Sequence, residues 1–353
     1  MAYTTIDDPS LHFNTVLYTG NGSTGNAITG VGFQPDWVWI KNRSGTKQHH
    51  LFDVVRGATK FLESSTTDAE ATDTTTLSSF DSDGFTLGNS GKVNGSSVTA
   101  VSWNWKAGTS FTNDASATSV GTIDSSGSTN QTAGFSIVSW TGTGSAGTVA
   151  HNLGSIPKWY FIKVRSGETN NWAVYHNKSN ANPEQYALYW DGTAAATDDS
   201  GLANDTAPTS TVFSLTGSNY GNKNTYTYIG YFFSEVKGYS KFGKYEGNGN
   251  ANGPFVYTGF KPAWVMIKRT DSTADWHIQD NKRDTFNPVD TSLFANTTDQ
   301  DTTSSSYNTD FLSNGFKLRG TTTARNGNGN SYIYMAFAEA PFTNSSGVPC
   351  NAR

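Results

Sequence analysis

Gly32-Phe33-Gln34-Pro35-Asp36-Trp37-Val38-Trp39-Ile40-Lys41 is the stretch on which the fold turns. Proline fixes φ and donates no backbone hydrogen bond, so Pro35 belongs just before a strand or at its first position. The residues after it are apolar at every alternation, which predicts a strand covered on both sides. Trp37 and Trp39 then share one face, and Val38 and Ile40 the other. Lys41 reads as the point where the strand surfaces. The same pattern returns as Gly154-Ser155-Ile156-Pro157-Lys158-Trp159-Tyr160-Phe161-Ile162-Lys163 and as Gly259-Phe260-Lys261-Pro262-Ala263-Trp264-Val265-Met266-Ile267-Lys268.

Other landmarks travel with it. Ten to twelve residues upstream stands an aromatic followed by a Gly-x-Gly turn, at Tyr18-Thr19-Gly20-Asn21-Gly22, Trp140-Thr141-Gly142-Thr143-Gly144 and Tyr245-Glu246-Gly247-Asn248-Gly249. Downstream come Phe-x-Leu strands at Phe85, Phe213 and Phe316, then aromatic strands around Trp103, Tyr231 and Met335, each after an Asn- or Gly-bearing turn. A period of about a hundred residues made of short strands and turns predicts an all-β chain of three tandem antiparallel β-sandwich, jelly-roll-like repeats. The boundaries follow: an N-terminal arm over 1–14, repeats over 15–108, 134–237 and 238–346, and a C-terminal tail over 347–353. The Ser/Thr/Gly-rich stretch 109–133 reads as a flexible linker or an exposed hairpin. Asp53–Leu62 is the one candidate helix.

Composition agrees. Aromatics make up 13% of the 353 residues and glycine is abundant, with 36 copies, which suits pleated sheets joined by tight turns. The formal charge is −5 and no stripe of Lys and Arg occurs, so nucleic acid is not an expected partner. No apolar run of about twenty residues exists, so membrane insertion is not expected either. The first residues lack the basic start and apolar stretch of a secretory signal. Cys350 is the sole cysteine, which rules out an intrachain disulfide and a thiolate metal cluster. These features predict folding in a reducing cytoplasm.

The polar segments after the motif strands are the candidate sites: His49-His50-Leu51-Phe52-Asp53-Val54-Val55-Arg56, Trp172-Ala173-Val174-Tyr175-His176-Asn177-Lys178 and Trp276-His277-Ile278-Gln279-Asp280-Asn281-Lys282-Arg283. Asp and Arg three apart, in two of them, form either a ligand-binding pair or a clamp that holds a strand end. Neighbouring histidines on a strand point to opposite faces and cannot chelate one ion together, and Asp81-Ser82-Asp83-Gly84 lacks the later glutamate of a calcium loop. No metal or other cofactor is therefore expected. No acid pair recurs on strands, and no nucleophile elbow or phosphate-cradling loop before a helix is found, so catalysis is not expected. Trp172, Trp190 and Trp276 are the tryptophans least explained by repeat packing. With His176 and His277 they are the candidate ligand residues, since indole faces stack on sugar rings.

The chain resembles repeat-containing tail-fibre and virion structural proteins of marine bacteriophages. The resemblance rests on the Gly-Phe-x-Pro-x-Trp-Val-x-Ile-Lys strands at Gly32 and Gly259, on Phe80-Asp81-Ser82-Asp83-Gly84-Phe85, and on Asn281-Lys282-Arg283-Asp284-Thr285-Phe286. It rests also on Tyr332-Ile333-Tyr334-Met335-Ala336-Phe337-Ala338-Glu339-Ala340-Pro341-Phe342. It covers essentially the whole chain, with the middle repeat departing most. It implies a non-enzymatic particle component that assembles in the host cytoplasm with other virion proteins. By analogy with fibres it implies a homo-oligomer, a trimer, contacting host surface glycans. A capsid-decorating or assembly protein without a host ligand, and a glycan depolymerase, are the alternatives.

Overall fold

The computed structural model describes residues 3–351. The chain is all-β, and its sheets are antiparallel. Each repeat contributes a leading strand (Phe13–Thr19, Phe135–Thr141, Ser240–Glu246), a motif strand (Trp37–Asn42, Trp159–Val164, Phe260–Arg269) and a closing strand (Thr99–Trp105, Thr227–Phe233, Ser331–Pro341). In all three the closing strand lies between the other two, which places the motif strand inside its sheet. The first and third repeats have six-stranded sheets of the same strand order, each faced by a three-stranded sheet carrying the Phe-x-Leu strand. In the second repeat two further strands, Thr109–Asn113 and Ser125–Asn130, lengthen the sheet to eight. Of the two readings of 109–133 the hairpin is the one found: its two strands pair antiparallel and extend this sheet, so the stretch is not a flexible linker.

Alternation along the motif strand divides its residues between two cores. Val38 and Ile40 face the small sheet of their own repeat, with Phe52, Phe85 and Leu87. The second and third repeats have matching private cores around Tyr160 and Ile162, and Val265 and Ile267. Trp37 and Trp39 point the other way, into a fourth core that all three repeats share. The ring of Trp39 lies 4.9 Å from Trp103 of its own repeat, 4.8 Å from Trp190 of the second and 6.3 Å from Trp264 of the third. The repeats are therefore not independent domains. Each would expose a wall of aromatic surface without the other two, and truncating one such buried tryptophan costs about 3–5 kcal/mol.

Two local expectations are corrected. Asp53–Leu62 is not helical: His50–Asp53 and Lys60–Glu63 are strands joined by a turn. Lys41, Lys163 and Lys268 do not surface; all are fully buried. Pro262 also lies inside its strand, and the register shifts on both sides of it form a bulge that accommodates the missing donor. The N-terminal arm is tied down, with Ile6 in the shared core and the Thr4 hydroxyl donating to the Lys237 carbonyl at 2.8 Å.

Candidate functional site

The polar segments that follow the motif strands form a ring of contacts between repeats. Lys41 Nζ donates to the Thr298 carbonyl of the third repeat at 3.0 Å, Lys268 Nζ to Thr193 of the second at 2.8 Å, and Lys163 Nζ to Thr67 of the first at 2.7 Å. One position earlier than His50, Ala173 and His277, a ring nitrogen makes the same circuit. His49 Nε2 meets the Phe294 carbonyl at 2.9 Å, Trp276 Nε1 donates to Tyr189 at 3.0 Å and Trp172 Nε1 to Glu63 at 2.8 Å. Backbone bonds from Asp301 to Arg43, Ala196 to Thr270 and Glu70 to Arg165 close the same three seams. In every seam the end of one repeat's motif strand meets the same segment of the next repeat, so three head-to-tail interfaces close on themselves within one chain.

This geometry decides the fate of the five candidate ligand residues. Trp172, Trp190, Trp276 and His176 are 0% exposed and His277 is 3% exposed. No indole face is open to a sugar. Trp190 stacks on Phe161 with ring centroids 4.2 Å apart, and Trp172 and Trp276 serve the seams. His176 Nδ1 accepts the Lys178 amide, while His277 sits edge-on to Phe294 and Tyr307. Burial pushes His176 down to about 3 and His277 well below the usual imidazole range. The stacking role expected of them is replaced by packing, because the repeats bury these surfaces against one another.

The Asp–Arg pairs are clamps. Arg56 Nε donates to Asp53 Oδ2 at 2.5 Å and its Nη2 to the Leu51 carbonyl; Arg283 repeats both contacts with Asp280, at 2.6 Å, and Ile278. Each carboxylate also accepts a hydrogen bond from the neighbouring repeat: Tyr231 Oη donates to Asp53 and Trp103 Nε1 to Asp280. His176 occupies the corresponding position in the second repeat, opposite Trp159 as Asp53 is opposite Trp37. His49 has both ring nitrogens engaged, accepting from Trp39 Nε1 and donating to Phe294, which leaves it no lone pair for a metal. Asp83 accepts the amides of Gly30 and Gly32 and so anchors a turn.

Three buried asparagines form a further repeated feature. Asn94, Asn222 and Asn326 are 0% exposed, and each holds its Gly-x-Gly turn. The side-chain oxygen accepts the amide of Asn21, Thr143 or Asn248, and the backbone carbonyl accepts that of Gly22, Gly144 or Gly249. A Cβ on Gly20, Gly142 or Gly247 would come within 2.2–2.4 Å of the facing carbonyl. The signal was available, since each asparagine stands nine residues ahead of Trp103, Tyr231 or Met335.

A surface groove of about 860 Å³ opens where the second repeat departs from the others. Its walls are the extra strands Thr109–Asn113 and Ser125–Asn130, the end of the leading strand and the Gly142 turn. Asn113, Asp114, Asp124, Ser126, Thr141 and Asn224 supply hydroxyls, amides and carboxylates. Asp114 caps a short turn of helix through Ser116 and Ala117, bonds that hold its carboxyl below the usual range. Asp124 Oδ1 accepts the Ala115 amide at 2.9 Å.

Fold and groove together define an all-β protein: a closed ring of three sandwiches, with a polar cleft on the divergent repeat. The chain belongs to the family described as Domain of unknown function (DUF7483), which matches residues 8–341. No curated protein and no solved structure matches it.

Proposed function

We propose that this protein is a structural component of a bacteriophage particle, in a tail fibre or related surface appendage, and that it contacts host surface glycans through the groove of the second repeat. The observation that carries the adhesive part is the groove's lining. Ser, Thr, Asn and Asp side chains around an open cleft of about 860 Å³ match the dense, directional hydrogen bonding of sugar hydroxyls. The groove belongs to the inserted strands, which have no counterpart among the described residues of the other repeats. Features that a symmetric core does not need are the ones free to carry recognition. The resemblance to marine phage virion proteins supports the particle setting. A homo-oligomer, a trimer by analogy, would stack or bundle rings that one chain already closes.

The test is binding of the full chain to an array of bacterial surface polysaccharides, beside Ser126→Arg, which fills the groove from an exposed position. Binding to a defined set of glycans that Ser126→Arg abolishes supports the reading. Absence of any glycan binding, together with density for the protein on the capsid lattice in particle reconstructions, replaces it with a decorating role. Release of reducing sugar from a bound polysaccharide would instead make the groove a depolymerase site.

A further inference from the structure

The leading strands of the three repeats are equivalent, yet their outer edges differ. In the second repeat the outer edge of Phe135–Thr141 is paired along its length by Ser125–Asn130. In the third, Ser240–Glu246 is the last strand of its sheet. Beside it lies a cleft of about 680 Å³ between the second and third repeats. Phe242 stands where Ile137 stands in the second repeat, since Ser240 pairs with Phe337 as Phe135 pairs with Phe233. Ile137 faces Ser128 of the added strand; the Phe242 amide instead donates to Glu235 Oε1 at 3.0 Å. A local carboxylate thus occupies the place of a backbone carbonyl. The alternation of an antiparallel ladder turns the Lys244 amide the same way.

The cleft is basic. Lys158, Lys178, Lys241 and Lys244 line it, against Glu235. Lys241 pairs with Glu235 at 3.3 Å, while the other three lysines make no ion pair among the described residues. Lysines on a strand edge are a common guard against aggregation, and Lys241 and Lys244 alone would be read so. Lys158 and Lys178 lie on the second repeat, off that strand, and still converge on the same space. A guard does not require them; an acidic occupant does.

We propose that the outer edge of Ser240–Glu246 is a strand-acceptor site that takes one extended, acidic segment of a partner polypeptide. From Phe242 onward the segment adds to the sheet as Ser125–Asn130 adds to the equivalent edge of the second repeat, the Ser240 amide being already bonded to the Val236 carbonyl. Its backbone replaces the Glu235 carboxylate at the Phe242 amide, and its acidic side chains meet the lysines of both walls.

The test uses the full chain and a fluorescein-labelled peptide of alternating glutamate and serine with a central glycine. Anisotropy is expected to report saturable binding at low salt, weakened about tenfold or more by Lys158→Glu with Lys178→Glu. Those residues are not on the strand, and an unchanged Tm and near-UV circular dichroism establish that the variant is folded. Hydrogen exchange at the Phe242 and Lys244 amides is expected to slow when the peptide binds. Absence of binding overturns the proposal. So does binding that leaves both amides unprotected, or dextran sulfate binding equally well, since either makes the cleft a site for polyanions in general.

Discussion

Lys41 and Thr298, 257 residues apart in sequence, are joined by a 3.0 Å hydrogen bond from ammonium to carbonyl. The bond ties the first repeat to the third, and its two counterparts complete the circuit. Lys41, Lys163 and Lys268 each donate to a second carbonyl on their own repeat as well, those of Asn42, Asn170 and Ala274. Burial is incompletely offset by these bonds and pulls all three down to about 8. Between pH 8 and the unfolded lysine value near 10.5 the unfolded chain binds more protons, so stability increases with pH in that window. The slope should be on the order of 1 kcal/mol per pH unit per lysine. Urea titrations at pH 7.5, 8.5 and 9.5 check it, and a flat or falling profile contradicts it.

Acid acts through the histidines. His151 is pulled down to about 4 and His176 to about 3, while His49 and His277 lie well below the usual value, burial being the leading cause throughout. Their stabilising effect is complete above about pH 6.5 and is lost as pH falls towards 4. Asp36 runs the other way, because burial raises it to about 6. Burial raises Asp191 and Asp290 as well, but it also pulls His12 down, and five histidines outweigh three carboxyls, so Tm should drop from pH 7 to pH 4.5. A Tm that is constant across that range would show that these imidazoles titrate freely in the folded chain.

Arg56→Met should destabilise the protein by about 3–5 kcal/mol, since it strands the fully buried Asp53 carboxylate without its cation. Replacing both partners, with Asp53→Leu added, should recover part of that loss. The recovery has a ceiling, because Tyr231 then loses its acceptor. Chemical denaturation of both single variants and the double gives the coupling. Additive losses would mean that Asp53 and Arg56 do not act as a pair.

Asn222→Ala should cost about 1–3 kcal/mol by leaving the Thr143 amide without its acceptor and taking from the Ser145 carbonyl its amide donor, so that only the Thr143 hydroxyl remains on it. Gly142→Ala should be worse, with a Cβ 2.2 Å from the Lys223 carbonyl. Gly91→Ala is the control, with nothing within 4 Å of its Cβ, and should change stability by about 0.5 kcal/mol or less. Thermal melts rank the three, and equal effects would contradict the assigned role of the Gly-x-Gly turn.

How much of this was legible beforehand depended on where each residue's partner lies. Pro35 to Ile40 announced a strand with two apolar faces, because both causes, proline geometry and alternation, are local. The same reading failed at Lys41, where a charge that normally marks a surface is buried by carbonyls 257 residues away. It failed again at Trp172 and Trp276, which looked spare because their partners, Glu63 and Tyr189, belong to a different repeat. Asp53 and Arg56 were legible as a pair, and the clamp was among their readings, since the carboxylate and guanidinium are three residues apart. Asp114 and Asp124 were invisible as groove residues inside a stretch whose composition resembles a linker.

Because the circuit of seams is covalently continuous, its stoichiometry needs no concentration to maintain it, and its three positions need not change together. In an assembly of identical subunits, any substitution would appear three times over. Here one position can gain a groove and another a lysine-lined trough while the tryptophan centre stays as it is. Asymmetric elaboration upon a symmetric frame is open to this chain in a way that a true homotrimer forbids.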